Sequence, residues 1–207
     1  MNERPILFKA EMVNAIIEGR KTQTRRILKG SAEFKGPYNS AYIEQYKNDR
    51  GWKRICPHGK PGDRLWIRET HAFDKQLDYL KASQLSKYEP VFYHANTMVR
   101  TVACSMIEKG RTRPSIFMPR WASRIQLEIT DIRVERLNDI SEEDCDAEGF
   151  GGDFPHVVMP TLDPGDWSDG QKSLPECYRD IWESINGPGS WDSNPFVWVI
   201  SFKRVER

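Results

Sequence analysis

The segment spanning residues 125–137 is the longest strand signal in the chain, and it limits the possible folds more than any other stretch. Ile125-Gln126-Leu127-Glu128-Ile129-Thr130 alternates apolar and polar residues, Asp131 interrupts, and Ile132-Arg133-Val134-Glu135-Arg136-Leu137 alternates again. A period of two buries one face of a strand and leaves the other for polar partners. Shorter runs of strand type stand at residues 5–8, 64–69, 91–94 and 196–202. Helical spacing is confined to residues 9–18, a short acidic stretch after Ser141, and residues 175–185. An order of strand, helix, several strands, short helix, helix, strand does not suit alternating βαβ units. It predicts an α+β fold, a barrel-like mixed sheet with short helices at its ends.

Local signals refine the expectation. Met12, Ala15, Ile16 and Ile17 share a helical face that Gly19 brings to a stop. In the strand at 64–69, alternation implies one face in the core and one face carrying Arg64, Trp66 and Arg68 or their neighbours. Ser141 is placed as an N-cap, with Asp144 three residues on in the box position. Tyr178, Ile181, Trp182 and Ile185 line one side of the last helix. Residues 30–62 are polar, turn-rich and dotted with aromatics, with a little helix near 40–48, and residues 151–173 read as a Gly-, Pro- and Asp-rich loop. Residues 74–89 read as a loosely helical excursion.

A chain of 207 residues suits one domain with elaborations and buries a core without covalent staples. No apolar run approaches the roughly 18–20 residues that cross a bilayer. The start Met1-Asn2-Glu3-Arg4-Pro5 lacks the cationic and apolar regions of a signal peptide, so a cytoplasmic protein without membrane partners is expected. Cys56, Cys104, Cys145 and Cys177 are widely spaced, and Cys56-Pro57-His58 has no second half elsewhere. No metal and no cofactor are expected, and the cysteines read as reduced thiols.

The net charge of +1 conceals strong segregation. Gly19-Arg20-Lys21-Thr22-Gln23-Thr24-Arg25-Arg26 holds four cations and two hydroxyls with no acid. Residues 109–126 carry Lys109, Arg111, Arg113, Arg120 and Arg124, again with no acid, whereas residues 139–153 are acidic without a base. Such blocks build a cationic face on a neutral protein, or simply solvated faces. The basic octet fits either a phosphate-facing loop or a hydroxyl nucleophile beside a lysine.

The octet resembles the G-x-K-T-x-T-x-R signature of the ASCH domain, a PUA-like β-barrel. Three later segments resemble further landmarks of that family in the same order: Pro61-Gly62-Asp63-Arg64-Leu65-Trp66, Leu137-Asn138-Asp139-Ile140-Ser141 with its acidic helix, and Val197-Trp198-Val199-Ile200-Ser201-Phe202. Met118-Pro119-Arg120-Trp121-Ala122-Ser123-Arg124 and Asn186-Gly187-Pro188-Gly189-Ser190-Trp191 are similar to longer ASCH proteins of phages and prophages. The resemblance implies a single PUA-like domain over residues 1–207, with insertions at about 30–60, 70–115 and 150–173. It also implies RNA or a modified nucleoside as partner. A small enzyme of the family hydrolyses N4-acetylcytidine with a lysine and a threonine of this signature and a glutamate of the short helix. Matched motif to motif, these are Lys21, Thr24 and Glu148, with Glu142 and Glu143 on the same acidic helix.

Amide hydrolysis needs a nucleophile, a proton acceptor and stabilisation of the developing oxyanion. Thr24 supplies a hydroxyl, and Lys21 serves as base if burial and neighbouring cations lower its pKa. Residues three apart on an extended strand face opposite ways, so this pairing requires a turn or bulge over 21–24. A structural arrangement fits the same pattern, with the threonines bridging local backbone and Lys21 salt-bridged to the acidic helix. Binding without catalysis is a further reading, in which Arg25, Arg26, Arg68, Arg120 and Arg124 meet phosphates, Trp66 or Trp121 stacks on an unpaired base, and Glu69 completes the set. RNA cleavage by the same lysine and threonine is a third. His58, His71, His94 and His156 are scattered and form no acid–base pair.

Overall fold

The alternating segments assemble into one mixed sheet. In the computed structural model, which describes residues 1–28, 56–100, 107–150 and 173–205, its strands are β1 (Glu3–Leu7), β2 (Gln23–Ile27), β3 (Arg64–Arg68), β7 (Gln126–Arg136) and β8 (Phe196–Val205). Their order is β1-β3-β7-β8-β2. β1 runs parallel to β3, while β3 pairs antiparallel with β7 and β2 antiparallel with β8. A second sheet orders β4 (His71–Ala72), β5 (Val91–Tyr93) and β6 (Val99–Arg100) in sequence. Among the described residues there are three α-helices: α1 (Ala10–Ile17), α2 (Glu142–Ala147) and α3 (Leu174–Asn186). The fold is therefore α+β, as expected. Among the described residues the five-stranded sheet remains open, with β1 and β2 as its edges, and no closed barrel forms. Asp131 does not split the long segment: β7 passes through it as one strand of 11 residues. The expected helix near 40–48 and nearly all of the loop at 151–173 lie outside the described residues. No described helix is long and apolar enough to cross a membrane.

The chain divides into two compact units, with β7 and β8 each contributing to both. In the first unit, Val13, Ala15 and Ile16 are the buried residues of α1, and Gly19 at φ +80° ends the turn that follows it. Met12 and Ile17 are only half-buried, so the buried stripe is shifted from the one read in the sequence. Asp63 accepts the Asn2 amide at 2.9 Å, joining the start of β3 to that of β1. β3 departs from simple alternation. Leu65 and Ile67 are in the core, but Trp66 is also 7% exposed because two guanidiniums cover its ring, Arg68 at 4.7 Å and Arg120 at 5.7 Å. The excursion after β4 contains two single 3-10 turns, Lys75–Leu77 and Ala82–Gln84. Phe73, Ala82, Leu85, Val91, Tyr93, Met118 and Ala122 form the core beneath it.

In the second unit the core is Leu137, Ile140, Cys145, Phe150, Tyr178, Trp182, Val197 and Val199. Tyr178 and Trp182 are the buried side of α3, as their spacing predicts, whereas Ile185 in its last turn is exposed. The Glu176 carboxylate accepts from the Ser173 amide at 2.7 Å, closing the first turn of α3.

His71 offers a pH-dependent check on the first unit. It is 1% exposed, its Nδ1 lies 3.1 Å from the Glu69 carbonyl, and no hydrogen-bond partner is found for its Nε2 among the described residues. Burial, with Arg113 adding to it, lowers its pKa from 6.5 to about 4. The folded state therefore binds fewer protons than the unfolded state between those values, and stability falls as pH drops through that window. Urea unfolding should show a loss of roughly 3 kcal/mol from this group between pH 7 and pH 4, absent in His71→Gln. An equal loss in that variant would assign the acid sensitivity to other groups.

Candidate active site

α2 forms where the sequence places a cap. The Ser141 hydroxyl accepts the Asp144 amide at 3.2 Å, and Glu142, Glu143 and Asp144 stand in the first turn, where the helix dipole favours acids. Glu142 and Glu143 point to solvent. Asp144 and Glu148, four residues apart, share a face turned toward β2. Asp144 does not close the expected capping box, since its carboxylate is taken by side chains of the sheet. Gly149 at φ +95° then terminates the helix.

The segment ahead of β2 runs along the end of this helix and satisfies its last carbonyls. The Thr22 amide donates to Ala147 O at 2.8 Å, Lys21 Nζ to Glu148 O at 2.8 Å, and Arg20 Nη1 to Gly149 O at 3.0 Å. Two carbonyls of the helix end and that of Gly149 just past it thus gain donors, two of them cationic, at the negative end of the helix dipole. Lys21 Nζ also donates to Glu148 Oε2 at 2.5 Å, joining residues 127 apart in sequence. Both members are buried, Lys21 at 2% and Glu148 at 4% exposure.

β2 continues the arrangement through its pleat. Gln23 and Arg25 both reach Asp144, which fixes them on one face, and Thr24 and Arg26 alternate to the other. Thr24 is buried, opposite Ile200 of β8 in the register. Arg25 is held by three carboxylates. Its Nε and Nη2 donate to Glu135 Oε1 at 3.0 and 2.5 Å, Nη2 to Asp144 Oδ2 at 2.6 Å, and Nη1 to Glu148 Oε1 at 3.4 Å. Arg133 completes the network on Glu135 Oε2 at 3.0 Å, Asp144 Oδ2 at 2.7 Å and Gln23 Oε1 at 3.0 Å.

The electrostatics follow from this layout. Burial lowers the Lys21 pKa, assisted by Arg26 and Arg25, while the charge and hydrogen bond of Glu148 work against that shift. Burial likewise lowers Arg26, opposed by Glu148 and Tyr178, so the Glu148 charge acts on cations of both strand faces. Burial opposes ionisation of Asp144, yet hydrogen bonds from Gln23 and Arg133 and the charge of Arg25 hold its pKa below the ordinary value. The Tyr178 phenol is raised well above its usual pKa by burial and by Glu148, which keeps it neutral.

The other residues singled out in the sequence lie in the first unit and have partners there. Arg124 forms a bidentate pair with buried Glu69, both bonds at 2.8 Å, and its guanidinium lies 4.0 Å from the Tyr93 ring. Arg120 bonds Glu3 at 2.8 Å, and with Arg68 it covers Trp66. Trp121 is flanked by Phe73 at 5.6 Å and by the guanidinium of Arg100 at 5.3 Å. Among the described residues no group of His, Cys, Asp and Glu is arranged to hold a metal ion. Glu135, Arg133 and Tyr178 were not foreseen as part of the Lys21 cluster. The i,i+2 spacing of Arg133 and Glu135 on one strand face was the sequence signal for those two, and Tyr178 was read only as part of a helix face. No family model, no curated protein and no solved structure matches the chain.

The ion pair makes its own stability prediction. Removing one partner of a buried pair leaves an uncompensated charge, so Glu148→Ala should cost about 3–5 kcal/mol in urea unfolding. Lys21→Met combined with Glu148→Leu should cost markedly less. A double variant as unstable as the sum of its parts would show that the pair is not energetically coupled.

Proposed function

We propose that the protein is an amidohydrolase that removes an acyl group from a modified nucleobase such as N4-acetylcytidine, and that its open sheet belongs to a PUA-like barrel of the ASCH type. The observation that carries this reading is the buried Lys21–Glu148 pair, whose lysine has a lowered pKa, with Thr24 buried three residues on in the sequence. The resemblance of the octet and the acidic helix to the ASCH signature supplies the substrate class.

In this reading Lys21, in its neutral form, takes the proton of Thr24 through a bridging water, since Thr24 stands on the face of β2 opposite Gln23 and Arg25, as the hydroxyl oxygen attacks the acyl carbonyl carbon. The tetrahedral intermediate collapses by breaking the C–N bond, and the Lys21 ammonium returns the proton to the departing cytosine amine. Water then attacks the acyl-threonine carbonyl carbon, with Glu148 orienting it and Lys21 again accepting a proton, and the bond from that carbon to the Thr24 oxygen breaks as the Lys21 ammonium returns the proton to the threonine. The products are cytidine and acetate. The cation of Arg26, on the Thr24 face of β2, steadies the oxyanion.

The test incubates the protein with N4-acetylcytidine, as free nucleoside and within a short RNA, and follows deacetylation by chromatography. Wild type should turn over at least one of the two. Lys21→Ala and Glu148→Ala should each lose about 100-fold or more in kcat/KM. Thr24→Ser should retain activity that Thr24→Val loses. Absence of turnover by wild type on both substrates would remove the amidohydrolase reading, and an active Thr24→Val would transfer the nucleophilic role to water.

A further inference from the structure

Arg25 stands at a position that the signature leaves open, and the sequence reading assigned it to substrate contact. The structure gives it no free surface: its side chain is 0% exposed, and its donors are directed at Glu135, Asp144 and Glu148. A guanidinium so enclosed does not reach a phosphate or a base. Its contact with Glu148 is the long one at 3.4 Å, on Oε1, whereas Lys21 holds Oε2 at 2.5 Å. One carboxylate is therefore shared between two cations, one a potential base and one permanently charged.

We propose that Arg25 is a positioning residue for Lys21: by drawing on the Glu148 carboxylate it limits how firmly that carboxylate holds the lysine as an ammonium. Glu135 and Asp144 set the strength of this pull by holding most of the Arg25 charge on the far side. The inference rests on the role of Lys21 as base, but it can be read without any substrate.

The balance is a matter of charge at short range. A carboxylate paired with lysine alone favours the protonated amine, which is useless as a base. A second cation on the same carboxylate weakens that preference. A counter-anion on the second cation restores part of it. Among the described residues the other charged or titratable groups around the pair include Arg20 ahead of β2, Arg26 on β2, Arg133 on β7, Cys145 and Asp146 on α2 and Tyr178 on α3. None of them duplicates the Arg25 bridge, which connects Glu135 of β7, Asp144 of α2 and Glu148 at the end of α2. Arg25 also lies 6.0 Å from the Tyr178 ring, at the margin of the apolar core that carries the helices.

The experiment follows the Lys21 amine directly by NMR in full-length protein carrying isotope-labelled lysine, with Lys21→Arg used to assign its signal. Arg25→Gln should move the Lys21 titration to higher pH by about one unit. Glu135→Gln should move it to lower pH, because the Arg25 charge then falls more fully on Glu148. Arg25→Lys should restore the wild-type midpoint at least in part. If the amidohydrolase reading holds, the acid limb of kcat/KM moves with these midpoints and activity lost in Arg25→Gln returns as pH is raised. An unchanged Lys21 midpoint in both variants, or shifts in the same direction, would overturn the proposal. Activity lost with an unmoved midpoint would leave Arg25 a purely structural role. Should Arg25→Gln not fold, the direction of shift in Glu135→Gln decides alone. A wild type inactive on acetylated cytidine removes the reaction but leaves the NMR comparison intact.

Discussion

Burying a lysine is the constraint that organises the second unit. An ammonium without water is costly unless a carboxylate and further acceptors surround it. Here Glu148 supplies both a side-chain oxygen and its main-chain carbonyl. That dual contact is available because Glu148 ends α2, where carbonyls lack intrahelical partners and the dipole is negative. The same need explains the short helix, its glycine terminator and the path of residues 20–22 across its end. Desolvation, with Arg26 and Arg25 beside it, holds the lysine pKa below its ordinary value against the pull of Glu148.

The surrounding ions form a single network. Lys21, Arg25 and Arg133 face Glu135, Asp144 and Glu148, and every one of these side chains has an opposite charge in contact. Such a network is high in stakes: satisfied, it fixes geometry, and broken, it leaves charges buried. Apolar residues of the helices and of β8 pack beside it, so the helices are held by burial and their register by charge. In the first unit cations take a different part. Arg68, Arg120 and Arg124 lie against aromatic rings or pair with acids, which turns a run of basic residues into packing material.

Much of the fold was legible from period alone. The strands β1, β3, β5, β7 and β8, the helices α1, α2 and α3, and the Ser141 cap were all visible because each depends on neighbours close in sequence. Alternation alone could not place Trp66 in the core, because the residues that cover it include Arg120, 54 positions away on another segment. The shift of the α1 stripe from Met12 to Val13 likewise reflects packing that helical spacing alone does not fix. Asp144 was read as a box residue, since its spacing from Ser141 is local. Its actual partners, Gln23, Arg25 and Arg133, come from two strands.

By itself, the sequence determined which elements exist and which residue types are available: a basic octet lacking acid, an acidic helix lacking base, and strands able to form one sheet. Only the tertiary structure decided how those charges are shared. It selected Glu148 over Glu142 and Glu143 because helical periodicity turns the last inward with Asp144 and leaves the other two in water. It enclosed Arg25, next to Thr24 in the octet, within three carboxylates. The physical reason is range. Periodicity and capping act over a few residues, whereas the pKa of a buried lysine depends on groups that only folding brings within hydrogen-bond distance.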